Sequence, residues 1–144
     1  MIDWDKRYID LAGQVATWSK DPSKKIGAIV VGDNGQVLCQ GYNGFPRGVS
    51  DSLERYTDRP TKYKFVVHAE MNAIYNAIGN GTKLAGGSMY VHGLPVCSEC
   101  AKGIIQTGIK KVFYTADDVP SNWAESLELT TLMFNEAGIE LKRI

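Results

Sequence analysis

The residues Ser88–Ala116, SMYVHGLPVCSECAKGIIQTGIKKVFYTA, decide how this chain reads as a fold. SMYVHG has the aromatic and β-branched content of a short strand, CSECAKGIIQTG follows as a helix with Gly108 as its C-cap, and IKKVFYTA returns as a second strand. The same alternation continues on both sides. Downstream, SNWAESLELTTLMFNEAG reads as a helix that Ser121 can cap, and IELKRI as a last strand. Upstream, HAEMNAIYNAI reads as a helix with Met71, Ile74 and Ile78 on one face, broken by GNGTKLAGG. Helix, strand, helix, strand, helix, strand implies a sheet with right-handed crossovers and helices on both faces, an α/β fold.

The N-terminal part supplies a hairpin and one more helix. IGAIVVG reads as a buried strand and VLCQGYN as its antiparallel partner, with the turn at Asn34-Gly35. Asp3 caps a helix whose apolar positions are Trp4, Tyr8, Leu11, Ala12, Val15 and Ala16, and Pro22 in SKDPSKK ends it. From Gly44 to about Lys64 the chain is polar and reads as one long loop, a feature usually functional or disordered inside a compact domain. No repeat or second domain is visible, so residues 1–144 read as one domain.

Composition narrows the class. The apolar fraction is 44%, and 16 basic residues balance 16 acidic ones. Zero net charge argues against a nucleic-acid partner. No apolar run reaches membrane-spanning length, and MIDWDKRYID lacks the basic head and apolar middle of a signal peptide. A cytoplasmic protein is expected. Three cysteines are too few for a disulfide scaffold, so the close pair Cys97 and Cys100 points to metal or redox chemistry.

Cys97 and Cys100 open a helix, share one of its faces, and gain thiolate character from the helix dipole. His68 and Glu70 open another helix but stand two positions apart, so they do not share a face. Alone, His68 reads as a satisfied buried histidine and Glu70 as a first-turn carboxylate. Together with the cysteines they read differently. One imidazole and two thiolates are three ligands for zinc, which takes four, and the fourth belongs to water whose pKa zinc lowers to about 7. Glu70 then moves protons. Of the chain's remaining histidine and cysteine, Cys39 sits in a strand as a buried thiol and His92 ends another, so neither reads as a fourth ligand; a non-enzymatic zinc module would need one.

His68-Ala69-Glu70 and Cys97-Ser98-Glu99-Cys100 match the H-x-E…P-C-x-x-C pattern of zinc deaminases, with Val96 where the pattern has proline and Pro95 one residue earlier. SKDPSKKIGAIVV, GYNGFPRG, HAEMNAI and CSECAKGIIQTGIKKVFY, spread from Ser19 to Tyr114, resemble the deoxycytidylate (dCMP) deaminases. The resemblance implies a three-layer α/β/α sandwich around a mixed five-stranded sheet, with one Zn2+ per chain. It implies hydrolytic deamination of dCMP to dUMP and ammonia, a step that supplies dTMP synthesis. It also implies a homo-oligomer, commonly a hexamer, with dCTP and dTTP as effectors. Asn43 and Ala69 are then expected at the sugar or base, Ser19, Lys20 and Lys24 at the phosphate, and Tyr114 beside the substrate. The loop carrying Tyr42, Gly44, Phe45, Arg47 and Glu54 is expected to hold an effector or to cover the site. Other readings are a deaminase that also accepts dCTP, and another nucleoside or base deaminase of the superfamily. His68 counts against the free cytidine deaminases, which commonly use cysteine there. Zero net charge counts against the transfer-RNA adenosine deaminases. Guanine-type deaminases lack SKDPS and GYNGFPRG.

Overall fold

The computed structural model describes all residues, Met1–Ile144. Five strands, β1 (Gly27–Val31), β2 (Val37–Tyr42), β3 (Ser88–His92), β4 (Lys111–Thr115) and β5 (Glu140–Arg143), form one sheet in the order β2-β1-β3-β4-β5. β1 runs antiparallel to β2 and β3, while β3, β4 and β5 are parallel, so the sheet is mixed as expected. The helices are α1 (Trp4–Ala16), α2 (Leu53–Thr57), α3 (Arg59–Phe65), α4 (Ala69–Asn80), α5 (Ser98–Thr107) and α6 (Ala124–Ala137). No helix is long and apolar enough to cross a membrane.

Strand side chains alternate between two cores. Ile29, Val31, Tyr90 and Phe113 face α1 and pack on its Ile9, Ala12 and Val15. Ala28, Val30, Met89, Val91, Val112 and Tyr114 face the other way, onto α4, α5 and α6. The result is the three-layer sandwich that the resemblance implied. Two glycines let the helices approach closely. A Cβ at Gly27 would stand 2.0 Å from the carbonyl oxygen of Ala12 in α1, and one at Gly41 would stand 2.2 Å from the backbone nitrogen of Ala73 in α4. The hairpin turn lies at Asn34-Gly35, with Gly35 at φ +79 and Gly32 N–H donating to Gln36 O at 2.9 Å. Asp3 caps α1 by accepting from Lys6 N at 3.1 Å.

Several expectations need correction. Gly44–Lys64 is not one loop, because α2 and α3 lie within it. Ser52 caps α2 through its hydroxyl, and Pro60 occupies the first turn of α3, where its missing N–H costs nothing. Of the expected face of α4, Ile74 is buried and Met71 packs partly buried against the core, but Ile78 does not belong to the buried face. That face is Ala69, Glu70, Ala73, Ile74 and Ala77, while Ile78 is 68% exposed. The close approach over Gly41 leaves room only for small side chains. In α1 the buried face includes Ile9, whereas Trp4 and Leu11 are exposed. Ser121 begins a single 3₁₀ turn, Ser121–Trp123, and makes no side-chain cap to α6.

Candidate active site

Two helix N-termini meet on the α4–α5 side of the sheet. His68 is the N-cap residue of α4 and Cys97 the N-cap residue of α5, both with extended backbone, and Cys100 lies one turn into α5. Pro95 and Val96 do not disturb this turn. Val96 is fully buried, and its carbonyl accepts from the Thr130 hydroxyl of α6 at 2.9 Å. Ser98 N–H donates to Ser126 Oγ of α6 at 2.8 Å, so α6 pins the segment that carries the cysteines.

His68 Nδ1 stands 3.3 Å from Cys97 Sγ and 3.4 Å from Cys100 Sγ, and the three donor atoms lie within 4.8 Å of one another. Tetrahedral zinc with ordinary bond lengths sets nitrogen and sulfur about 3.5 Å apart. The donor set and its spacing therefore fit zinc. Glu70, Cys39 and His92 are not part of this cluster. Cys39 is buried in the core against α4, and burial pushes its thiol up to about 11. His92 faces α1, with its ring against Gly13 on the opposite side of the sheet.

The electrostatics suit a metal. The hydrogen bond with Cys100 is the main cause that holds the Cys97 thiol down to about 4; His68 adds to it and burial opposes it. The Cys100 thiol is pushed up by Cys97 beside it and by burial. The hydrogen bond with Cys97 raises His68 above its ordinary value despite burial, and Glu70 adds to the rise. Glu70 is 3% exposed, and burial pushes its carboxyl up to about 7, with His68 opposing and Cys97 adding. A carboxyl that changes protonation near neutrality can act as general acid and general base.

His68, Ala69 and Glu70 line a cleft of about 430 Å³. One wall is the Asp21–Lys24 turn with Asn43, a second is α3 with Arg59, Lys62 and Tyr63, and a third is the segment after β4 with Asp118, Asn122 and Trp123. A buried node ties the first two walls together. Lys62 Nζ lies 3.0 Å from Asp21 Oδ1, 2.9 Å from Asp21 Oδ2 and 2.6 Å from Ser23 Oγ. Burial pushes the Asp21 carboxyl up, but Lys62, both donors of Ser23 and the Lys24 N–H outweigh it and leave it below its ordinary value. Asn43 is locked in the same node. Its Oδ1 accepts from Ile26 N at 2.9 Å, and its Nδ2 donates to Lys24 O at 2.9 Å and to Asp21 Oδ2 at 3.3 Å.

The other residues singled out by sequence fall as follows. Lys24, Asn43 and Ala69 line the cleft. Ser19 does not; it is buried and donates to Asn43 O at 2.8 Å, supporting the residue that does. Lys20 is exposed and pairs with Asp51 at 3.0 Å, outside the cleft lining. That partner raises the Lys20 ammonium above its ordinary value. Tyr114 is packed in the core and does not reach the cleft. The five loop residues also lie outside its lining. Tyr42 meets Trp18 edge-on, Gly44 pairs with Val67, Phe45 stacks on Tyr56 with centroids 4.3 Å apart, Arg47 donates to Asn76 Oδ1, and Glu54 sits in the first turn of α2. Sequence reasoning missed Asp21, Arg59, Lys62, Tyr63 and Trp123. The Ser52 cap and the Pro60 first-turn signal were the cues that could have found α3 and, with it, three of these.

Comparison with known proteins agrees with this geometry. Residues 2–116 match the cytidine and deoxycytidylate deaminase zinc-binding region. A human deoxycytidylate deaminase is 40% identical over 99% of this chain and 80% of its own length. A deaminase of Aliivibrio fischeri, from the luxG 3′ region, is 41% identical over 96% of this chain and 91% of its own. A crystal structure of the cyanophage S-TIM5 dCMP deaminase, in complex with dCMP and dUMP, superposes with a TM-score of 0.77 at 28% identity, covering 96% of this chain and 95% of that one. With its helix-borne histidine and cysteine pair and its mixed five-stranded sheet, the chain belongs to the zinc-dependent cytidine and deoxycytidylate deaminase family.

Proposed function

We propose that this chain deaminates dCMP to dUMP and ammonia, with zinc held by His68, Cys97 and Cys100 and proton transfer by Glu70. One observation carries the reading: three donors lie within 4.8 Å of one another, and one of them, His68, shares a cleft with a buried carboxyl that is not among them. The human relative and the cyanophage enzyme with its bound dCMP and dUMP support the substrate. Bound zinc supplies the acidification of a water molecule to a pKa of about 7.

The chain's own groups do the rest. Glu70 would accept a proton from the attacking water and pass it to N3 of the cytosine ring as the water's oxygen bonds to C4, and would then carry the remaining proton of that oxygen to the amino group as the C4–N bond breaks and ammonia leaves. Burial raises its carboxyl above the ordinary carboxylate range, which favours its holding a proton between the two transfers. The locked Asn43 amide presents one face to the sugar, and Ala69 leaves space for the ring above the α4 N-terminus. Lys24 offers a cation to the phosphate, and Ser19 backs Asn43 from behind. Exposed Tyr75 and Ile78 on α4 and Leu53 on α2 give a second copy apolar surface to cover, in line with a homo-oligomer, a hexamer in this reading. Apart from Asn43, the Tyr42–Glu54 segment lies outside the cleft lining, and it is then the place for dCTP or dTTP to act as effectors in a cytoplasmic nucleotide enzyme.

The test is ammonia release from dCMP by the zinc-loaded protein and by its Glu70→Gln variant. The parent should turn dCMP over. The variant should keep its zinc and lose at least about 10²-fold in kcat, the usual scale of general acid–base help. Zinc loss in the variant, or full turnover, contradicts the role given to Glu70.

A further inference from the structure

The charges around the cleft are not paired evenly. Three cations line it: Lys24, Arg59 and Lys62. Lys62 is committed to Asp21, at 2.9 Å and with both side chains buried. Lys24 and Arg59 take part in none of the four ion pairs of the chain. Arg59 is exposed and steadied by a hydrogen bond from its guanidinium to Tyr63 Oη at 3.0 Å. The cleft therefore offers a substrate two uncommitted positive charges, one from the turn before β1 and one from α3.

Two carboxylates stand against them. Asp118 lines the same cleft, while Asp117 lines an adjoining cavity of about 340 Å³. Ser23 and Lys24 border both spaces, so they form the ridge between them. Neither Asp117 nor Asp118 has an ion-pair partner. A single phosphate resting between Lys24 and Arg59 has its charge matched. A phosphate chain that continues within the cleft meets the space lined by Asp118, and one that crosses the ridge meets the space lined by Asp117.

We propose that this rim selects nucleoside monophosphates, with Arg59 as the attracting residue and Asp117 and Asp118 as the residues that reject a triphosphate. The inference rests on the dCMP reading above and deepens it. Specificity of this kind is a difference of affinities, built from an attractive element for one ligand and a repulsive one for its competitor. Losing a hydrogen bond to a charged group changes binding by roughly 10- to 10²-fold. Exposed charges a few ångströms apart contribute only about fivefold per pair in water.

The experiment measures kcat/KM of the zinc-loaded parent and of Arg59→Gln, Arg59→Lys and Asp117→Asn/Asp118→Asn on deoxycytidine, dCMP and dCTP, at low and high salt. Arg59→Gln should reduce the preference for dCMP over deoxycytidine by at least about tenfold, mainly through KM, and Arg59→Lys should recover part of it. The double asparagine variant should raise the dCTP-to-dCMP ratio about tenfold at low salt, and this gain over the parent should shrink at high salt, because exposed charges are screened. If the parent turns over dCMP but either ratio stays where it was, the rim assignment is overturned and the dCMP reading stands. If the parent releases no ammonia from dCMP, that reading fails first and the rim assignment falls with it.

Discussion

Replacing Lys62 by methionine should cost this protein about 3 kcal/mol, because it leaves a buried carboxylate without its cation. The side chains of Asp21 and Lys62 are 2% and 11% exposed, so neither can turn to water without moving its helix or turn. Breaking such a pair by removing one partner usually costs about 3–5 kcal/mol. The lower end applies here. Asp21 keeps the Ser23 N–H and hydroxyl, both at 2.9 Å, the Lys24 N–H at 3.3 Å and Asn43 Nδ2 at 3.3 Å. Asp21→Asn instead leaves the Lys62 ammonium without its counter-ion, with only neutral acceptors beside it, Ser23 Oγ at 2.6 Å and the new amide oxygen. The double variant Asp21→Asn/Lys62→Met removes both charges and should recover much of the loss, since an uncharged node has no ion to desolvate.

The assay is equilibrium urea unfolding at fixed free zinc, compared by midpoint at constant slope. The pH dependence carries its own sign. The Asp21 carboxyl is held below its ordinary value of 3.8 in the fold, so its stabilisation is complete above that pH and lost as pH falls through the folded value. The gap between parent and Lys62→Met should therefore hold from neutral pH down to about 4 and close below it. A single variant that loses less than about 1 kcal/mol, or a double variant that shows simple additivity, would refute the idea that this pair is a coupled buried unit.

Two further outcomes follow from the packing and the metal site. Gly41→Ala should destabilise by about 1–3 kcal/mol or more, since its new methyl meets the α4 backbone 2.2 Å away; an unchanged melting temperature would show that α4 can retreat. Zinc binding near neutral pH should release protons, because Cys100 holds its proton in the bare donor set while zinc takes thiolate; calorimetry in buffers of different ionisation enthalpy reads this, and no buffer dependence would contradict it.

The sheet and the metal ligands were legible because each rests on a local signal. Strand-length apolar runs gave β1 to β4, Gly108 stopped α5, and the HxE and CxxC spacings named the donor set. What was not legible depended on layers meeting. The face of α4 that is buried is set by Gly41 beneath it, so the bulky Ile78 points outward and the alanines point in. No helical periodicity contains that information. Tyr114 was misplaced for the same reason: its position at a strand end was visible, but not that its side of the sheet is closed by core. α2 and α3 were hidden by charge, since a five-residue and a seven-residue helix show little apolar period even where the caps are present. That error had a chemical consequence, because it concealed Arg59 and Lys62 and left the cations of the SKDPSKK turn as the visible candidates for phosphate.

The metal site is built from the N-termini of α4 and α5, and the two helices also touch further along. Each helix begins on the same side of the sheet, and each brings its ligands at the first turn, where free backbone N–H groups and the dipole favour thiolate. His68 and Cys97 are 29 residues apart in sequence yet 3.3 Å apart in space. Further along, α4 meets α5 through Met71, whose sulfur would lie 2.6 Å from a Cβ at Gly103. Any side chain at 103 would therefore have to displace Met71 or push the helices apart. Met71 is next to Glu70 on α4, so this packing lies close to the cleft. Those Met71 atoms are the far end of a flexible side chain and can turn aside, unlike the α4 backbone that lies over Gly41. Gly103 therefore governs how Met71 packs between α4 and α5, while Gly41 governs how closely α4 lies on the sheet.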